Sequence, residues 1–254
     1  MIGARRLPVF SPAWIVLIVI VLQGCSALAP RRSPQEIARQ AEAEQLLQTL
    51  ASRNADMDAF KGIGSLRLEQ PGQAPVSGRL AWVARTPSKV RFVFLVSGHP
   101  VLVFAADGQD IYWVDPRAPE ETYRSVRSSE GRLDRLVSMP LRTADLVALL
   151  AGRVPIVEHS EVMLDSNPES AHRVLVLKRW WAAVQKLYMD REDSLVKRVD
   201  FLERSGDLRY RVEFLQNQTV QGHTVPRRLR ISDQKGAALT LSLDRYEIAE
   251  VPDA

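Results

Sequence analysis

Between Phe60 and Ile248 the chain is written almost entirely in short alternating segments punctuated by turn signals, and this fixes its fold class more tightly than any other feature. Leu208, Tyr210, Val212 and Phe214 alternate with Arg209, Arg211 and Glu213, and Leu239, Leu241 and Leu243 alternate with Thr240, Ser242 and Asp244. A period of two marks a strand with one buried face, whereas Val174 to Leu177, apolar throughout, reads as a strand covered on both sides. Pro71-Gly72, Asp107-Gly108, Asp190 to Asp193, Ser205-Gly206-Asp207 and Lys235-Gly236 supply the turns. Strands joined this closely are antiparallel neighbours, since a parallel pair needs a crossover of about a dozen residues or more.

The pattern predicts strands at 62–70, 76–85, 89–97, 100–106, 109–115, 121–127, 156–164, 172–179, 183–190, 195–204, 208–216, 224–232 and 237–248. Two short helices interrupt them. Leu133, Leu136 and Val137 share one helical face within 131–139, and Leu146, Leu149 and Leu150 share another within 143–151; Pro140 separates the two and Gly152 stops the second. A further helix is expected from Pro34 to Arg53, with Ser33 as cap, Pro34 in the first turn and Glu36 completing a capping box. So many antiparallel strands cannot lie flat in one sheet. The expected class is mainly β with helices: a single curled antiparallel sheet, an incomplete β-barrel of about 11–13 strands, with helices covering its concave apolar face.

The N-terminus reads as an export signal. Arg5 and Arg6 precede ten apolar residues, Ala13 to Leu22, a run shorter than the about 20 residues that a transmembrane helix needs. Leu22-Gln23-Gly24-Cys25 follows, and Cys25 is the single cysteine of the chain. This segment resembles the lipobox of bacterial lipoproteins, which implies cleavage before Cys25, a diacylglyceryl group on its thiol and an acyl group on the new amine. A signal anchor with an incidental cysteine is the alternative. Ser26, where inner-membrane lipoproteins carry Asp, implies an outer-membrane location. The expected organisation is a signal peptide at 1–24, the lipidated Cys25 and linker at 25–33, and one domain at 34–254.

With one cysteine, neither a disulfide scaffold nor a cysteine-rich metal site can form. His99, His159, His172 and His223 lie far apart, and no G-x-S-x-G elbow occurs. No enzyme is expected, and no cofactor beyond the covalent lipid on Cys25. The net charge of +4 comes without a basic run interleaved with aromatics, so nucleic acid is not an expected partner. Arg227, Arg228 and Arg230 read as a solvated edge strand. Trp180 and Trp181 read as a partly exposed strand end, with a membrane interface as the alternative.

Three segments carry a family resemblance. Gly78-Arg79-Leu80-Ala81-Trp82 runs through Phe94-Leu95-Val96-Ser97-Gly98-His99-Pro100-Val101; Met139-Pro140-Leu141 precedes Leu146 to Leu150, Gly152 and Pro155; and Phe214, Pro226, Leu229, Asp233, Leu241 and Tyr246 keep a characteristic spacing within Tyr210 to Ile248. Over most of 60–248 the chain resembles the LolA/LolB family of periplasmic lipoprotein carriers and outer-membrane receptors. The resemblance implies an unclosed barrel whose apolar cavity, plugged by helices, takes the acyl chains of lipoproteins, with a LolA-like carrier as donor and insertion into the outer membrane as outcome. Trp82, Phe92, Phe94, Phe104, Trp113 and Tyr210 are the candidate cavity liners, with tight core packing as the alternative. Val101, matching a membrane-insertion loop just after Pro100, and Leu102 beside it are the candidate delivery residues. The domain is expected to act as a monomer. A structural or adaptor lipoprotein with a filled interior is the competing expectation.

Overall fold

The computed structural model describes residues 33–114, 116, 124–127, 140–165, 172–192 and 194–249. The expected signal peptide, Cys25 and the expected helix at 131–139 lie outside them. The chain divides into units at Met1–Ala38 and Arg39–Ala254. The described part of the first opens helix α1 (Pro34–Ser52) with the expected capping box: the Ser33 N–H donates to Glu36 Oε2 at 2.7 Å and the Glu36 N–H to Ser33 Oγ at 3.2 Å.

The second unit holds thirteen strands in one antiparallel sheet: β1 (Ala59–Glu69), β2 (Val76–Arg85), β3 (Lys89–Val96), β4 (His99–Ala106), β5 (Asp110–Val114), β6 (Arg124–Arg127), β7 (Glu161–Asp165), β8 (Arg173–Arg179), β9 (Ala182–Met189), β10 (Val196–Leu202), β11 (Leu208–Val220), β12 (His223–Ser232) and β13 (Ala238–Ile248). The order across it is β6-β5-β4-β3-β2-β1-β13-β12-β11-β10-β9-β8-β7. Each half is a meander of hairpins, and the first and last strands zip the halves together, with Phe60 opposite Ile248 and Leu66 opposite Leu241. The sheet does not close: β6 and β7 are its two free edges. It is curled, because the inward side chains of strands from both halves meet in a single hydrophobic core.

The topology explains the helical insert. A chain leaving β6 at one edge must reach β7 at the other, and residues 140–160 of that connection are described. Helix α2 (Thr143–Leu150) sits in it, with Leu146, Val147, Leu149 and Leu150 all buried. A helix this apolar on all sides is stable only inside a core.

Glycines permit the curl at the seam. Gly62 and Gly64 on β1 and Gly78 on β2 all face inward, where a Cβ would lie 2.1 Å from the Trp82 ring, 2.2 Å from the Ser242 carbonyl and 2.2 Å from the Leu95 carbonyl, respectively. Strand interiors take Gly where another backbone or ring approaches this closely. The β1–β13 ladder also shifts register between Ile63 and Gly64, a bulge of the kind that increases local twist.

Two sequence expectations are corrected. Arg227, Arg228 and Arg230 lie on β12, an interior strand between β11 and β13, not on an edge. Their exposure comes from the outer face of the sheet, and Arg230 pairs with Glu69 at 3.1 Å. The strand expected at 156–164 begins only at Glu161. The buried Gln185 side chain takes the upstream backbone instead, donating to the Pro155 carbonyl at 2.7 Å and accepting the Val157 N–H at 3.2 Å.

Candidate functional site: an apolar hollow under helix α2

Between the sheet and α2 lies a hollow of about 100 Å³, lined by Leu66, Leu68, Leu80, Phe92, Phe94, Leu102, Phe104, Leu146, Leu150, Leu239 and Leu241. Its wall is built from cross-strand pairs: Leu66 opposite Leu241, Leu68 opposite Leu239, Leu80 opposite Phe94, Phe94 opposite Leu102 and Phe92 opposite Phe104. Phe92 and Phe104 stack at 5.6 Å between centroids. Leu146 and Leu150, one helical turn apart on α2, supply the roof. Every lining side chain is a hydrocarbon, so the hollow offers burial and no hydrogen bond. It can take a ligand only by removing apolar surface from water, at roughly 25 cal/mol per Å².

Of the six expected liners, Phe92, Phe94 and Phe104 do line it. Trp82 is buried against Gly62, its Nε1 without a hydrogen-bond partner among the described residues. Tyr210 is buried in stacked contact with Phe201 at 4.3 Å. Trp113 is half-buried against the core, opposite Phe104 on β5. These three lie in or against the core outside the lining of the hollow. None of the eight leucines was an expected liner, Leu102 having been named for delivery instead, although the alternation of Leu239 and Leu241 marks an inward face.

The candidate delivery residues are placed differently from a protruding loop. Val101 and Leu102 lie within β4, half-buried and packed on the core, and Leu102 faces the hollow. At the turn itself stand Ser97 and Gly98, both with positive φ, followed by exposed His99 and Pro100.

The roof helix is held at both ends. At its start Arg142 grips Asp145 through two bonds of 2.8 Å. At its end, the Gly152 N–H donates to the Leu149 carbonyl and the Arg153 N–H to the Ala148 carbonyl, with Gly152 at φ 72°, the geometry of a Schellman stop. The remaining carbonyls of that last turn have partners from elsewhere in the fold. Tyr246 Oη donates to the Leu150 carbonyl at 3.1 Å, and Asn54 Nδ2 donates to the carbonyls of Ala151 and Thr224, each at 2.8 Å. Asn54 thereby joins the turn after α1, the end of α2 and the β11–β12 hairpin. It sits at φ 52°, which Asn tolerates better than most residues. Asn54→Ala is expected to cost about 2–3 kcal/mol, the sum of stranded buried carbonyls and a left-handed alanine; a denaturant midpoint equal to that of the wild type would show that Asn54 is not a latch.

A second, wider groove of about 540 Å³ lies at the other end of β1–β4, floored by Val83, Ala84, Ala105 and Ala106 and walled by Lys61, Arg85, Lys89 and Arg91. Its cationic wall sets it apart from the hollow as a surface feature of the rim. Among the described residues no cluster of His, Cys, Asp or Glu is arranged to hold a metal ion, and no helix is long and apolar enough to cross a membrane.

No protein-family model matches the chain, and no curated protein matches it by sequence. Solved structures do. A LolA superfamily protein from Nitrosomonas europaea superposes with a TM-score of 0.57 at 14% identity, covering 83% of this chain and 94% of that one. An outer membrane lipoprotein-sorting protein domain from Vibrio parahaemolyticus gives 0.57 at 13% identity, covering 81% and 92%. A DUF1329 family protein from Desulfovibrio piger gives 0.56 at 12% identity, covering 86% and 95%. The chain has the fold of LolA-superfamily and lipoprotein-sorting proteins, as its family resemblance implied.

Proposed function

We propose that this chain is a lipoprotein of the cell envelope, anchored by lipid on Cys25 to the periplasmic face of the outer membrane, that receives acyl chains of other lipoproteins and passes them to that membrane. The observation that carries the proposal is the all-hydrocarbon hollow with a short helix as its roof. No bond is made or broken. Burial of the chains supplies affinity, and release follows when a more extensive apolar phase competes for them. The donor is a soluble carrier of acylated protein, and the chain works as a monomer.

The volume bears on how this works. About 100 Å³ is smaller than the about 150 Å³ cavity that binds a benzene, and far below the about 300 Å³ of an ordinary ligand pocket. A whole acyl chain therefore enters only if α2 moves. The same small volume favours a second reading, an adaptor lipoprotein whose interior stays filled. Leu102→Trp separates the two. Leu102 is half-buried at the wall of the hollow, so an indole there plugs the space at little cost to the fold. The expected result is loss of acyl-lipoprotein capture from a carrier, with an unchanged melting temperature and with acyl chains extractable from the wild-type protein alone. A wild-type protein that yields no lipid and captures none supports the adaptor.

A further inference from the structure

Trp180 and Trp181 form the two-residue turn between β8 and β9, with Arg179 opposite Ala182. Their relative exposures are 74% and 86%, and the rings meet edge to face at 6.5 Å. Neither indole N–H has a hydrogen-bond partner among the described residues. Trp180 stands at φ 63°, at a place where such turns normally put Gly. A bulky side chain in the left-handed region is strained, and strain of this kind collects at functional sites. Here nothing in the fold repays it: the ring packs on no core residue, and only the backbone N–H is held, by Ser160 Oγ at 3.0 Å.

The position of the turn gives the pair a meaning. Strand direction places the β1–β2, β3–β4, β8–β9, β10–β11 and β12–β13 turns at one end of the sheet. The hollow lies in the half of the sheet nearest that end, since its liners are late in β1 and early in β13 and β4. The β3–β4 turn, expected to carry an apolar tip, ends instead in Ser97 and Gly98. Among the described turns of this end, the tryptophan pair is the large apolar tip. Lys178 and Arg179 precede it, and Arg204 and Lys235 stand on neighbouring turns of the same end. Indoles with a free N–H and flanking cations suit the boundary between anionic headgroups and acyl chains.

We infer that the Trp180–Trp181 turn is a membrane-docking tip, which seats this end of the sheet on the surface of a lipid bilayer. It brings the half of the sheet that holds the hollow to the layer where acyl chains begin. The contact itself is independent of what the hollow carries.

The test uses the full chain, lipidated and reconstituted in phosphatidylethanolamine–phosphatidylglycerol vesicles whose acyl chains carry bromine close to the headgroup. Bromine quenches indoles it touches. The comparison is with Trp180→Gly/Trp181→Ser, in which Gly accepts the positive φ and no buried contact is removed. Trp82 and Trp113 are common to both proteins, so the difference isolates the pair. The expected result is bromine quenching and a blue-shifted emission in the wild type, with most of that quenching lost in the variant at an unchanged melting temperature. Equal quenching in both proteins places the lipid near Trp82 or Trp113 and overturns the docking tip without touching the carrier proposal. A pair that bromine does not quench, and that aqueous acrylamide quenches equally with and without vesicles, also overturns it. If vesicle docking holds but acyl capture fails, the carrier proposal falls alone.

Discussion

Gly64→Ala is expected to destabilise the protein by about 3 kcal/mol, the top of the range for an overpacked core, because the atom that the new methyl group meets is backbone. The Cβ of an alanine there would lie 2.2 Å from the Ser242 carbonyl oxygen and 3.2 Å from Leu243 Cα. Neither can swing aside as a side chain would, so β1 and β13 must separate. That pair is the seam between the two meanders, the contact in which residues about 180 positions apart lie side by side. Gly62→Ala is a graded companion. Its methyl group meets the Trp82 ring at 2.1 Å, and a ring can tilt, although Trp82 is buried, so about 1–2 kcal/mol is expected. Denaturant unfolding measures both. The ordering Gly64 above Gly62 is the informative result; a Gly64→Ala protein as stable as the wild type would mean that the seam is looser than the register between Leu66 and Leu241 implies.

The same seam separates what the sequence made legible from what it did not. Alternation and turn chemistry are local, and the strands apart from the start of β7, the capping box at Ser33 and Glu36, and the glycine stop at Gly152 lie close to where those signals put them. Pairing order is not local. Nothing in the alternation of Arg227 to Ile231 distinguishes an edge strand from one flanked on both sides; that β12 is interior follows from β13 turning back onto β1. The β7 boundary failed for a related reason, since a single buried Gln185 satisfies the backbone that a ladder would otherwise have used. At the site, aromatic side chains drew attention because each buries a large area. Half of them turned out to pack the core, while leucines at the period of the strand and at the i, i+4 spacing of the helix line the hollow. Face assignment is legible in sequence. Whether a face is filled or left hollow depends on how side chains from strands far apart meet, and it is not.

Arg142→Ala is expected to loosen the roof and raise acyl uptake even as it weakens the fold. The Asp145 side chain is 7% exposed and that of Arg142 is 49% exposed. Removing the guanidinium leaves a buried carboxylate without its main counter-charge, facing the apolar core. The negative charge of Asp145 already reaches Tyr210, whose phenol is pushed far above its ordinary range, first by burial and then by that charge. Breaking a fully buried pair costs about 3–5 kcal/mol; with the arginine half in water, about 2–3 kcal/mol is expected here. Arg142→Lys keeps the charge and loses the two-pronged grip, and falls between. The loss is expected to be local. Amide exchange at Leu146, Val147 and Leu150 should speed up well before exchange in β1 and β13, because α2 is anchored at its far end by Asn54 and Tyr246 while its start rests on this pair. If α2 is the gate to a hollow too small to be loaded as it stands, a frayed first turn admits acyl chains faster than the wild type does. Arg142→Leu/Asp145→Leu makes the control: two apolar side chains in place of the ion pair restore stability to near the wild-type value and close the roof again. Exchange that accelerates uniformly across helix and sheet, or uptake that falls in step with stability, would mean that α2 is a fixed part of the core and that acyl chains, where they bind, bind elsewhere.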